Sequence, residues 1–133
     1  MAVIRRVYVE KKPGCDGEAR ALLDDFRTNL GLQGLEGLRL LIRYDVCGIA
    51  AREWRQARLA VFSEPPVDLV YDDDFPRAVE ETAFASEYLP GQYDQRADSA
   101  AQCLQLLLPG LRPPVAAARV VVLRGRLRPP RPG

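Results

Sequence analysis

Residues 87–105, EYLPGQYDQRADSAAQCLQ, run from a Pro-Gly turn through a polar cluster straight into a small-residue helical pattern. Side chains of this kind can do four things. Asp94 and Asp98, four apart, could form a carboxylate pair; the helix start could bind an anion; Asp94 could cap the helix; the cluster could dock a neighbour. A glycosidase-type pair needs two carboxyls facing each other across a cleft. Neighbours on one helix turn instead make a cap and a surface charge. Anion binding is disfavoured because the Asp94 carboxylate would occupy the positive helix end itself.

Other chemistry is poorly supplied. The chain has no histidine, so a Ser or Cys nucleophile would have to rely on a lysine or carboxylate base. The only lysines are Lys11 and Lys12, adjacent at a strand end, where they read as solvent-facing charges. Cys103 falls beside inward alanines and reads as a small apolar filler, and Cys15 stands near a helix start with nothing to complete a reaction. Without histidine or a CxxC spacing, zinc sites of the usual kind lack ligands. Asp72, Asp73 and Asp74 lack the glycine and later glutamate of a calcium loop and read as a solvated turn. Neither GxxxxGK[ST] nor GxGxxG occurs. The residues alone therefore assign no catalytic, cofactor or metal site.

The chain of 133 residues suits one domain with a real core. Nineteen basic and 18 acidic residues nearly cancel, which removes any long-range pull on nucleic acid or anionic membrane. Six arginines and no acid follow from Arg112 onward, read as a basic, solvated tail. Three cysteines with no close pair fit reduced thiols and a cytoplasmic location. The start is too charged for a signal peptide, and no apolar run reaches membrane-spanning length.

Periodicity places the elements. VIRRVYVEKK predicts a strand over 3–11, with Val7 and Val9 on one face and Tyr8 and Glu10 on the other. After Pro13-Gly14, Asp16 is a candidate N-cap for a helix burying Ala19, Leu22, Leu23, Phe26 and Leu30, with Gly31 just past its end. A strand follows over 38–46, then a helix over 50–62 with Trp54, Ala57 and Val61 inward, stopped by Pro65-Pro66. VDLVY reads as a short strand and 72–82 as an acidic loop. A strand over 83–89, a helix over 94–108 with Ala97, Ala100, Ala101, Leu104 and Leu107 inward, and a strand over 117–125 complete the chain. The last residues, rich in arginine and proline, predict a disordered tail over 125–133.

Placing Glu10 over Glu87 aligns EKKPG with EYLPG. Both copies continue through a helix to a β-rich run. The expected fold is therefore α+β: a ferredoxin-like pseudo-dimer of two strand-helix-strand units, halves about 3–46 and 83–124. One antiparallel sheet would carry helices on one face, with 50–62 as a linking helix.

On this frame Gln92, Gln95, Arg96 and Ser99 fall on the outer side of the corner. A bland reading pairs Arg96 with Asp98 or Glu87 and leaves the rest solvated. The alternative is a docking surface with Tyr93 as its apolar anchor.

YLPGQYDQRADSAAQC, together with VYVEKKPG and VFSEPPVD, resembles the N-terminal region of the large, single-chain phosphoribosylformylglycinamidine synthases of the clostridial type. The resemblance covers residues 3 to about 124. It implies a step of purine biosynthesis in which an amide becomes an amidine, with ATP and Mg consumed or used elsewhere in the enzyme and ammonia drawn from glutamine. It also implies a non-catalytic scaffold, similar to a dimer of a small structural subunit, that holds synthetase and glutaminase domains for ammonia transfer. The expected interface is Gln92, Tyr93, Asp94, Gln95, Arg96, Asp98 and Ser99, with Asp94 as the fixing cap. No cofactor, nucleic acid or membrane partner is expected of this piece. After Leu123 the resemblance ends, which suggests a fragment or an early-terminated reading frame. A stand-alone module binding a small ligand between its halves, and an RNA-binding fragment using the arginine tail, are the competing readings.

Overall fold

A computed structural model describes residues 3–89 and 92–125. The Pro-Gly turn at 90–91 and residues 126–133 of the expected tail lie outside the described residues; Gly125, assigned to that tail, is instead paired in the last strand, opposite Leu35. Eight elements follow in order: β1 (Ile4–Lys11), α1 (Gly17–Asn29), β2 (Leu35–Cys47), α2 (Ala51–Ala60), β3 (Asp68–Asp72), β4 (Glu81–Glu87), α3 (Gln95–Leu107) and β5 (Val115–Gly125). The five strands form one antiparallel sheet in the order β3-β1-β2-β5-β4. The described residues thus form an α+β fold of one antiparallel sheet and three helices.

Register decides which side chains share a face, because residues directly opposite in an antiparallel pair point the same way. Val7 faces Tyr44, Val9 faces Ile42, and Ile42 in turn faces Arg119. Val70, Val46 and Val115 lie on this same face. Its helical cover is drawn from α2 and α3: Trp54 and Ala57 on one, Ala100 and Leu104 on the other, joined by Ile49 and Phe62. Side chains such as Val7, Val46 and Leu104 are fully buried here. Each such aliphatic side chain stabilises the fold by roughly 1.5–3 kcal/mol. The helix α1 joins the same face, its Glu18 reaching Arg119.

The helix α1 is only partly embedded. Ala19 is buried, Leu22, Leu23 and Phe26 are half-buried, and Leu30 is exposed, against the expectation that all five turn inward. Gly31 fulfils its expected role. With φ of +67° it reverses the chain, and the Leu32 amide bonds back to the Phe26 carbonyl at 3.2 Å, as a glycine past a helix end permits. Asp16 stands at the N-cap position without capping, since its Oδ1 accepts from the Gly14 amide and faces Arg20 instead. The strand expected over 83–89 begins two residues earlier, at Glu81. Arg119 and Arg124 fall within the strand expected over 117–125, which the structure extends back to Val115.

Among the described residues, no helix covers the opposite face. Tyr8, Leu41, Val120 and Val122 form a small apolar cluster there, closed by Phe75 from the β3–β4 connection. Phe75 meets Tyr8 edge-on, with ring centroids 4.9 Å apart. The Arg39 guanidinium lies over the Phe75 ring, 5.6 Å from its centroid. A second guanidinium, that of Arg77, also lies over this ring, 5.3 Å from its centroid, so two cations are drawn to one aromatic ring. Two ionic chains flank the cluster. In one, Arg39 makes a bidentate pair with Glu10, both bonds 2.8 Å, and reaches across β5 to Glu81. In the other, Arg6 pairs with Asp45, Asp45 with Arg43, and Arg43 with Glu87. Charged side chains thereby seal a face that no helix covers. Lys11, read as a free charge, lies 2.9 Å from Asp68 Oδ1.

The strand registers recur. Glu10 faces Leu41 and Val9 faces Ile42 in the first ladder; Glu87 faces Ala118 and Ser86 faces Arg119 in the second. The sequence offset that carries Glu10 onto Glu87 also carries Val9 onto Ser86, Leu41 onto Ala118 and Ile42 onto Arg119. Ile42 and Arg119, so related, face each other across the β2–β5 ladder.

Replacing Arg39 by Ala leaves Glu10 and Glu81 uncompensated and only partly hydrated, so stability in a urea titration should fall by about 2 kcal/mol with an unchanged slope. A second expectation concerns pH. The bond to Asp68 raises the Lys11 pKa above its ordinary value, while burial, aided by Glu10, raises that of Tyr71. Groups whose folded pKa is raised contribute stability below the unfolded value and lose it above, so the thermal midpoint should hold to about pH 10 and then drop. Tyr71→Phe should flatten that drop.

Candidate functional site

The corner between β4 and α3 is built around Asp94. Glu87 and Ala118 make the last pair between β4 and β5, so the Ala117 amide lies just past the end of β4. Asp94 Oδ2 accepts from that amide at 3.0 Å, while its Oδ1 accepts from the Ala97 amide at 3.0 Å. One carboxylate therefore ends a strand pairing and starts a helix. The expected cap is present; its second bond depends on where β4 stops, which the sequence does not display.

The other expected residues divide. Gln92 ties back to Leu89: its side-chain Oε1 accepts from the Leu89 amide at 2.7 Å, and its own amide donates to the Leu89 carbonyl at 3.0 Å. The Tyr93 hydroxyl donates to Asp98 Oδ2 at 2.9 Å, and Gln102 donates to the same oxygen. The Asp98 bond raises the Tyr93 pKa, and 70% of Tyr93 remains exposed. Gln95, Arg96 and Ser99 are placed by the first turns of α3. Gln95 and Ser99 are exposed, as is much of the surface around them. The corner is thus at the surface, with its apolar side, Ala97, Ala100 and Leu104, against the sheet.

Arg96 has no ion-pair partner among the described residues. Its two expected acids are engaged elsewhere, Glu87 by Arg43 and Asp98 by Tyr93 and Gln102. It lines adjoining surface pockets: one with Ser86, Tyr88, Gln92 and Arg119, another with Tyr44, Tyr88, Ser99 and Cys103. Burial raises the Tyr44 pKa, and the Arg96 charge opposes that rise. Cys103 is exposed here, correcting its reading as buried filler.

Sequence reasoning missed three pocket residues: Tyr44, Tyr88 and Arg119. Tyr44 was discoverable by strand alternation with Ile42; Arg119 lay in the predicted final strand, but its pairing with Ile42 and Ser86, which turns it toward the corner, is a relation between distant segments. Among the described residues, no three His, Cys, Asp or Glu side chains converge as a metal-binding group, and no helix is long and apolar enough to cross a membrane.

Comparison of the chain with protein families, curated proteins and solved structures gives no match.

Asp94→Ala should cost about 2 kcal/mol, combining a lost cap with an orphaned Ala117 amide. Hydrogen exchange should accelerate at both Ala97 and Ala117; protection retained at Ala117 would show that the second bond contributes nothing.

Proposed function

We propose that this chain is a ferredoxin-like pseudo-dimer serving as a non-catalytic scaffold of the phosphoribosylformylglycinamidine synthase type. Its role is positional. Ammonia released into water is diluted and protonated, so a module that docks a glutaminase domain against a synthetase domain raises the effective concentration at the acceptor site. ATP and Mg belong to the synthetase partner in this reading.

The observation that carries the proposal is the recurrence of strand register at one constant sequence offset, which supports duplication of one strand-helix-strand unit. A structural-subunit dimer fused into one chain accounts for that offset. The corner supports the docking role: Gln95, Arg96 and Ser99 present polar groups at the surface, beside the Tyr93 ring, while Asp94 fixes the backbone beneath them. Arg96 is the principal contact, because its guanidinium has no ion-pair partner among the described residues and a planar fork suits a carboxylate on a neighbour.

The test is reconstitution. Adding the chain to separately produced synthetase and glutaminase domains should raise glutamine-dependent amidine formation while leaving the ammonia-dependent rate unchanged. Equal glutamine-dependent rates with and without the chain would overturn the reading. Arg96→Ala should weaken association with those domains about tenfold while shifting stability by no more than about 0.5 kcal/mol. A variant that unfolds would instead assign Arg96 to the fold.

A further inference from the structure

The helical face of the sheet is not fully roofed. Beside α3 a surface cavity of about 330 Å³ opens over β5 and the end of β4, with Ile42 and Ala117 in its floor and Arg96 and Arg119 among its lining. That volume lies near the lower end for small-ligand pockets.

Its charge is poorly balanced. Arg119 Nε is shut off from solvent with no hydrogen-bond acceptor among the described residues, and Nη2 meets only Glu18 Oε1, at 3.4 Å. Glu87 also lines the cavity, but its carboxylate is held by Arg43 on the opposite face. Arg96, across the cavity on α3, has no ion pair among the described residues. Two guanidiniums therefore share one concavity with no anion committed to both.

Neutral donors surround them. Ser86 and Tyr88 supply hydroxyls, and Gln92, whose Oε1 is already occupied, keeps its NH₂ group for donation. The α3 N-terminus does not contribute, because Asp94 fills it. The polar side chains of the site come from β4, α3 and β5, with Tyr88 and Gln92 beside them, over a floor that includes Ile42 of β2.

We propose that this cavity is a binding site for a phosphate monoester, its dianion held between Arg96 and Arg119. Three terminal oxygens and a charge near −2 match two guanidinium forks and the flanking hydroxyl and amide donors, whereas one carboxylate satisfies a single fork. The site goes beyond the scaffold reading and does not require it. Arg96 and Gln92 are common to both readings, whereas Arg119 stands on the sheet floor outside the 92–99 corner, so loss of phosphate binding in Arg119→Gln with docking retained distinguishes this site from the scaffold role.

The experiment is an NMR titration of the full chain with inorganic phosphate, with succinate as a dicarboxylate comparison. Saturable shifts at the Ser86, Gln92 and Arg119 amides are expected, with succinate binding more weakly. Arg119→Gln and Arg96→Gln should each weaken phosphate at least about tenfold, and Arg52→Gln, on the exposed side of α2, should not. Arg119→Lys, which keeps the charge but loses the fork, should fall between. Absence of saturation at tens of millimolar phosphate, equal loss in Arg52→Gln, or succinate binding as tightly as phosphate would each overturn the assignment. Should Arg119→Gln fail to fold, Arg96→Gln decides, since that residue has no ion-pair partner among the described residues to lose.

Discussion

The pairing of β2 with β5 is the constraint on which the molecule depends. It is the longest ladder in the sheet, running from Leu35 opposite Gly125 to Val46 opposite Val115, and it joins residues far apart in the chain. Every other strand is placed by it, β1 and β3 outward from β2, β4 outward from β5. A slip of β2 by one residue would turn Ile42, Tyr44 and Val46 away from the helices and Leu41 toward them. The end of the ladder is pinned as well. A Cβ on Gly125 would collide with the Gly34 carbonyl oxygen, and the residue's φ is +135°, so only glycine permits that approach.

A one-sided helix layer leaves the second face to manage itself. The chain answers with cross-strand charge pairs, whose long arginine stems cover apolar surface while their heads remain near water. Because Arg39 and Arg43 reach from β2 over β5 to β4, these contacts tie strands that are not hydrogen-bonded to each other. The arrangement couples the two ends of the sheet on one side while packing couples them on the other.

Much of the fold was legible beforehand because alternation and helical spacing are short-range signals. Val7 and Val9 opposite Tyr8 and Glu10, the inward alanines of α3, the turn at Gly31 and the cap at Asp94 all follow from neighbours within a few positions. The failures share a different cause. The start of β4 is an exposed edge strand with little burial contrast, so its alternation is faint. The partners of Arg39, Arg43 and Glu87 are set by register, a relation between distant segments. The partial burial of α1 and the exposure of Cys103 depend on how much of the sheet the helices cover. At the corner, residue types announced a polar surface, but Arg119 joined the site only through the strand that carries it.

In an assembly of two identical chains, whatever residue sits on the twofold axis must confront its own duplicate. Two arginines there would repel, and two isoleucines would leave only grease. Ile42 and Arg119 oppose each other within a single polypeptide, and under the proposed duplication they stand where such an axis would pass. Each can then specialise without imposing its choice on the other. Covalent linkage makes room for a lopsided centre that no homodimer could encode.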